Sequence, residues 1–379
     1  MSLATRLVIW LLSAVFSALT ATESLARYAT FHNRTYDLAL YARQAWGLAH
    51  GQLWDPIVGA HFLGTHVALV LWPLGQLGDR FGTVRVLLIA QALAFGLATL
   101  PLSRIGARRF GDAGALCTAM AWLLYPNLSH VASYEFHPGS LGVLPLAFAL
   151  DALDRPRAIS FFVACLALLA CRADFAFLTA LLALSALFPV APPPLLRATY
   201  GGQLPALSAA NGGNVGEGWN AIRSRIPVAL ASAILLVSIG YLGLQFLWLR
   251  PHFWATQTSL DLHFSRWGGS PFGIVRALFR DPKLVFAHFS ETRRLSYLPR
   301  LFLPLALFPL FAPRWLVLSL PFIAINLIST FPTTVEIYSH YLTPAVPIMV
   351  AAAMEGLSLW SRSLHARKLP AFGLVAVLA

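Results

Sequence analysis

Runs of roughly 14 to 23 apolar residues recur along almost the whole chain, each closed by arginine, proline or glycine. This pattern constrains the fold more than any other feature. A backbone that crosses hydrocarbon must satisfy its own N–H and C=O groups, and a helix does so within one segment. About 20 apolar residues make one crossing. Charged residues are 11% of the 379 and hydrophobic residues 58%, whereas soluble domains carry about 25% charge. The chain therefore reads as all-α: a polytopic bundle of transmembrane helices forming a single integral membrane domain over residues 1–379.

Breaks in hydropathy give spans at 7–22, 84–102, 113–131, 138–153, 158–171, 175–190, 227–249, 297–312, 315–331 and 341–357, with Ala371–Ala379 opening an eleventh. Arg6 before an apolar stretch has the outline of a signal peptide, but with membrane spans filling the rest of the chain it reads as an uncleaved anchor. Residues 158–190 as one helix would measure about 50 Å and hold Arg172 and Asp174 in mid-membrane, so they are read as a helical hairpin turning at those charges.

With the N-terminus in the cytoplasm, the inner segments hold 13 cations and five acids, as the positive-inside rule requires. The net charge of +12 is then a topology signal, with arginines spread singly or in pairs between spans, and no nucleic-acid partner is expected. Residues 191–225, with a proline run and Asn211–Gly218, read as a cytoplasmic linker. Two outer loops remain, at about 23–83 and 250–296. The first carries a helix over Tyr36–His50, with Leu38, Tyr41, Ala45 and Leu48 on one stripe, and a second, interfacial helix over His61–Leu77. Cys117, Cys165 and Cys171 lie inside apolar runs, without metal-ligand or disulfide spacing.

The polar groups that are costly near a membrane all fall on the outer side of this map. They are Asp37, His61, His66, Glu135, His137, Arg172, Asp174, Arg266, Glu336, Tyr338, His340 and Tyr341. Ionisable groups at such depth line wet cavities and mark function. His61 and His66 are five apart, which is not the i,i+4 pair that holds a metal on a helix, and no metal or other cofactor is expected.

The same residues carry a family resemblance. Thr35-Tyr-Asp-Leu-Ala-Leu-Tyr41, with Ala45-Trp46 and His50-Gly51, resembles the "FDLGIYDQALWN…G" opening of the bacterial membrane proteins grouped as domain of unknown function 2079. Leu63-Gly-Thr-His66 resembles their "LGDHFSP", Tyr134–Pro138 their "FDFHP", and Arg172-Ala-Asp174 their "KED". Arg266-Trp-Gly268 resembles "RYG" and Tyr338–Tyr341 "RYHY". Thr65, Gly139 and Ala173 stand where that pattern has acids. The family is similar to membrane glycosyltransferases of the GT-C type, which take sugar from a polyprenyl-phosphate donor and use an outer-loop carboxylate near the first span.

The resemblance implies a bacterial inner-membrane protein with its site facing the exterior, and a lipid-linked sugar donor and membrane lipids as partners. Asp37 is then the general base toward an acceptor hydroxyl, with inversion at the anomeric carbon. Arg172 and Arg266, then Arg43, are expected on phosphate because a planar guanidinium engages its oxygens bidentately. His137 and His340 are expected to donate hydrogen bonds, with His66, Glu135, Asp174 and Tyr338 lining the site. A transporter or flippase of a lipid-linked or small solute, and a non-catalytic membrane scaffold, stay open as other readings.

Overall fold

The computed structural model describes residues 1–33, 35–188, 226–253, 263–270 and 272–366. The expected linker at 191–225 and the tail Ala371–Ala379 lie outside the described residues. The fold is a polytopic helical bundle. Helix α1 (Leu3–Ala29) shows the solvent it was built for. Its buried face is Thr5, Ile9, Ser13, Ser17, Thr20 and Ser24, while Leu3, Leu7, Trp10, Leu11 and Leu19 point outward, exposed. Small, weakly polar residues inside and large apolar ones outside invert the soluble pattern and match helix packing in lipid.

The run Thr83–Leu123 is two helices, α4 (83–109) and α5 (112–123), because Phe110 and Gly111 leave helical geometry and Gly111 takes φ +61°. The two then run back against each other. A Cβ at Gly106 would collide with the Gly114 carbonyl, and Trp122 Nε1 donates to Phe95 O at 2.9 Å. Expected spans 84–102 and 113–131 are thus present, the second interrupted after Leu123, where Tyr125 is extended ahead of Pro126. α6 (Pro126–Ser133) follows. The hairpin expected over 158–190 forms as α8 (Ala158–Cys171) and α9 (Phe175–Leu187), after α7 (Val143–Asp154). α10 runs Val228–Phe253. Gly273–Arg280 and Pro282–Phe289 form α11 and α12 in the second long loop, and α13 (Pro313–Ile328) and α14 (Val346–Ala366) complete the bundle.

Two expectations fail. Residues 297–312 do not make one spanning helix: Tyr297–Phe302 is followed by 3-10 turns at Leu303–Leu305 and Phe308–Phe311, with Ala306 and Leu307 left-handed between them. Pro304 and Pro309 have no N–H to donate, so an α-ladder cannot pass through them. The interfacial helix over His61–Leu77 is also replaced. Trp54–Asp55 pairs antiparallel with Ala60–His61, a 3-10 turn follows at Phe62–Gly64, and helix α3 begins only at Leu71. Pro73 fits the first turn of the later helix and would break the earlier one. The helix expected at Tyr36–His50 forms as α2 (Thr35–Ala49), with Leu38, Tyr41 and Ala45 buried.

At the far end of the bundle from Asp37, Arg104, Arg108, Arg109, Arg157 and Arg314 surround Asp151, Asp154 and Glu355. Arg109 holds Asp154 through both nitrogens at 3.0 and 2.7 Å and Glu355 at 2.8 Å. Arg314 pairs with Glu355, which also accepts from Trp315 Nε1 at 2.8 Å. This network joins α4, α7, α13 and α14 where each leaves the apolar layer.

The α1–α4 seam depends on Gly96, whose carbonyl accepts from Ser13 Oγ at 2.6 Å and where a Cβ would overlap Ser17 Oγ. Gly96→Val should destabilise the protein by about 1–3 kcal/mol through overpacking. Thermal unfolding in detergent reads this directly, with Leu93→Val on the exposed face as the unchanged control.

Candidate functional site

Three buried carboxamides on helices hold the loops that form the site. Gln91, on α4, donates to Val131 O at 2.9 Å and Glu135 O at 2.7 Å, and its Oε1 accepts from the His137 amide at 2.9 Å. Asn127, on α6, donates to Ile337 O and Ser339 O at 2.6 and 2.9 Å, fixing the approach to His340. Gln245, on α10, donates to Thr65 O at 2.9 Å. Beside it the chain at 66–70 runs along the α8–α9 turn, with Val70 N–H donating to Ala170 O and Ala173 N–H to His66 O, both at 2.9 Å. Distant loops are thereby locked together by backbone carbonyls that would otherwise be buried without partners.

Asp37 enters from the first turn of α2. His137 Nε2–H donates to its Oδ2 at 3.2 Å, and the carboxylate keeps 36% of its exposure while His137 is nearly enclosed. The His137 ring stacks on His340 with centroids 3.6 Å apart, and Tyr41 meets it edge-on at 6.1 Å. His340 in turn lies against Tyr341 at 4.1 Å, and Tyr341 reaches His263, with Oη and Nε2 3.4 Å apart. Burial pushes the Asp37 pKa up, but the hydrogen bond and charge of His137, with the Arg172 guanidinium beyond, outweigh it and hold the carboxyl below the ordinary carboxylate range. Burial, then neighbouring positive charge, drives the imidazoles of His340 and His66 well down and that of His263 to about 4. These three rings are therefore neutral at pH 7 and act as hydrogen-bonding groups rather than charges.

At the α8–α9 turn, Arg172 closes a fork on Asp174 with Nε to Oδ1 at 2.9 Å and Nη2 to Oδ2 at 2.7 Å. Its stem passes under Gly139, where a Cβ would lie 2.9 Å from Arg172 Cδ and 3.3 Å from Nη1. The space of a side chain at 139 is filled by Arg172. Asp37, Glu135 and His137 bring ligand atoms within 4.8 Å of one another, a spacing that one divalent ion can bridge. The sequence reading, which looked for paired histidines on one helix, did not see this set.

The family model described as "Predicted membrane protein (DUF2079)" matches residues 27–379. The chain belongs to that family. No match is found among curated proteins. Among solved structures, the crystal structure of ArnT from Cupriavidus metallidurans bound to undecaprenyl phosphate is similar, with a TM-score of 0.51 and 14% identity. The match covers 94% of this chain and 60% of ArnT, so this DUF2079 protein spans less than two thirds of its neighbour's length. ArnT is a GT-C glycosyltransferase. At this identity the likeness shows the fold, a polytopic membrane GT-C bundle.

Of the ten residues given a role in this DUF2079 sequence, Asp37, His66, Glu135, His137, Arg172, Asp174 and His340 gather at one end of the bundle. Three do not join them. Arg43 lies over the Trp46 ring at 5.0 Å and donates to Trp54 O at 3.2 Å. Arg266 is turned to His288 Nδ1 at 2.8 Å and Glu291 at 3.1 Å, ordering the second long loop. Tyr338 is exposed and edges His130 at 5.7 Å. Partners near by in the chain capture Arg43 and Arg266, whereas Tyr338 meets His130 of α6 at the surface.

His263, Tyr41, Gln91 and Arg250 belong to the neighbourhood without having been selected, and Tyr341 was singled out without a role. The first four carried no signal of a site in the sequence. Gln91→Leu leaves three backbone groups around His137 without their partner and should cost about 1–3 kcal/mol. The unfolding midpoint of the purified protein checks this.

Proposed function

We propose that this protein transfers a sugar from a polyprenyl-phosphate donor to an acceptor hydroxyl at the outer face of a bacterial inner membrane. The observation that carries the reading is the convergence of Asp37, His137, Arg172 and His340 at one end of a GT-C bundle, with Asp37 still open to solvent. His137 occupies Oδ2 of Asp37, which leaves Oδ1 to take the proton of the acceptor. The acceptor oxygen forms its bond to the anomeric carbon as the carbon–oxygen bond to phosphate breaks, and the electron pair leaves with the polyprenyl phosphate. Inversion follows from a single displacement.

The leaving group needs neutralisation rather than a proton, which suits a guanidinium. Arg172 remains the candidate for that task. Arg266 is withdrawn from it, because its partners are His288 and Glu291. The neutral His340 ring supports the face of His137 and so fixes the direction of its hydrogen bond. That ionisable groups collect at the two ends of the bundle and not at mid-depth favours transfer over alternating-access transport.

Asp37→Asn keeps the shape and removes the base, and should abolish product at normal membrane levels. An assay of sugar transfer from a polyprenyl-phosphate donor in membranes reads it; undiminished product removes Asp37 from the reaction. The pH dependence has a definite sign. The Asp37 pKa is held down in the folded site, so the base persists as pH falls through the ordinary carboxylate range and is lost only below it. His137→Ala removes the hydrogen bond that holds it down, and the acidic limb of the rate profile should move to higher pH.

A further inference from the structure

Resting on the polyprenyl-phosphate reading above, we infer that the π-wound end of α10 carries a separate subsite for the phosphate-and-hydroxyl headgroup of the lipid donor, formed by Tyr241, Gln245 and Arg250. The backbone widens over Leu244–Leu249, and the Arg250 N–H reaches back five residues to Gln245 O. A π-turn is one residue longer than an α-turn and recurs at functional sites. Its effect here is geometric. In a continuous α-helix a residue five along points roughly 140° away, at 100° per residue. The i→i−5 turn brings Arg250 back over Gln245, which already sits one α-turn above Tyr241.

The face so assembled is polar and unsatisfied. Among the described residues, Tyr241 Oη, Gln245 Oε1 and Arg250 Nε are buried without a hydrogen-bond partner. Gln245 is 1% exposed, and its amide nitrogen is already committed to Thr65 O. Three orphaned polar atoms along one helix face, in a layer where each lost hydrogen bond is costly, point to a ligand that completes them.

The chemistry of that ligand follows from the set. Arg250 supplies a cation and offers its Nε–H. Its guanidinium is laid over the Phe246 ring at 4.8 Å, and it lies within electrostatic reach of Arg172, Asp174 and His66. Gln245 Oε1 accepts from a hydroxyl, and Tyr241 Oη can donate or accept. An anion joined to hydroxyls satisfies all three, as a phosphosugar does. The reverse side of the same turn faces outward, with Leu247 82% exposed and Leu244 and Trp248 also exposed. A chain attached to that phosphate can therefore leave along apolar surface, which commits the subsite to a lipid headgroup rather than a free phosphate.

Undecaprenyl phosphate titrated into the full-length protein in nanodiscs, read by microscale thermophoresis, tests this. The wild type should bind. Arg250→Gln and Gln245→Leu should each weaken binding about tenfold or more, the loss expected for a charge-assisted or buried hydrogen bond. Deleting Leu247 restores α-winding and should weaken binding as much, whereas Leu236→Ala, exposed earlier on the same helix, should leave it unchanged. Arg250→Lys, which keeps the charge and loses the fork, carries the test if the deletion unfolds the helix, and should weaken binding by less than Arg250→Gln.

Wild-type binding that Arg250→Gln and Gln245→Leu leave within twofold overturns this subsite alone. A wild type that binds no polyprenyl phosphate overturns the donor reading itself, and the subsite with it. Inorganic phosphate binding as tightly as the lipid overturns the lipid assignment.

Discussion

The cost of placing charge in hydrocarbon organises this molecule. Ionisable side chains within the apolar layer are expensive unless paired, and the bundle sorts them into two layers at its ends. α8 joins the layers directly: Arg157 precedes it, Arg172 follows it, and its 14 residues span about 21 Å. Between the layers lie alanine, leucine, phenylalanine and valine in close packing. At one end the five arginines and three acids around Asp154 and Glu355 pair with one another. At the other, Asp174 holds Arg172 in place through a two-point fork, beside Asp37, Glu135 and the imidazoles.

The two layers differ in what their pairing leaves over. Around Asp154 the carboxylate oxygens are shared among several guanidinium groups, an arrangement that ties helices together. Around Asp37 the partners are rings, whose burial keeps three of them neutral. The carboxylate is oriented by His137 without being cancelled by an arginine. The base role proposed for Asp37 needs a direction and an open lone pair, and it rests on this environment.

Much of the helical framework was legible in the chain. The hairpin at 158–187 followed from the width of hydrocarbon against the length of one helix, and the reversal at Phe110–Gly111 from the hydropathy break. α2 followed from its stripe of Leu38, Tyr41 and Ala45. Where proline spacing was outvoted by apolar character, at 297–312 and His61–Leu77, the reading failed, since a missing N–H decides helix continuity whatever the hydropathy. Site residues were legible as a set of costly polar groups near span ends. Arg266 and Tyr338 passed the same filter, and nothing in one sequence separates a side chain held by other partners from one delivered to a common centre.

The sequence by itself determined the membrane class, the breaks that end most of the helices, and the motifs that place it in its family. These rest on hydropathy, charge and local order, all of which are properties of neighbours along the chain. Tertiary structure alone decided that Gln91, Asn127 and Gln245 clamp three loops, that His137 meets both Asp37 and His340, and that a π-turn aligns Arg250 with Gln245. A buried amide in an apolar run has no partner in the sequence. Its partners are carbonyls that arrive only when helices from distant stretches pack, and the satisfaction of those carbonyls then fixes where each side chain of the site points.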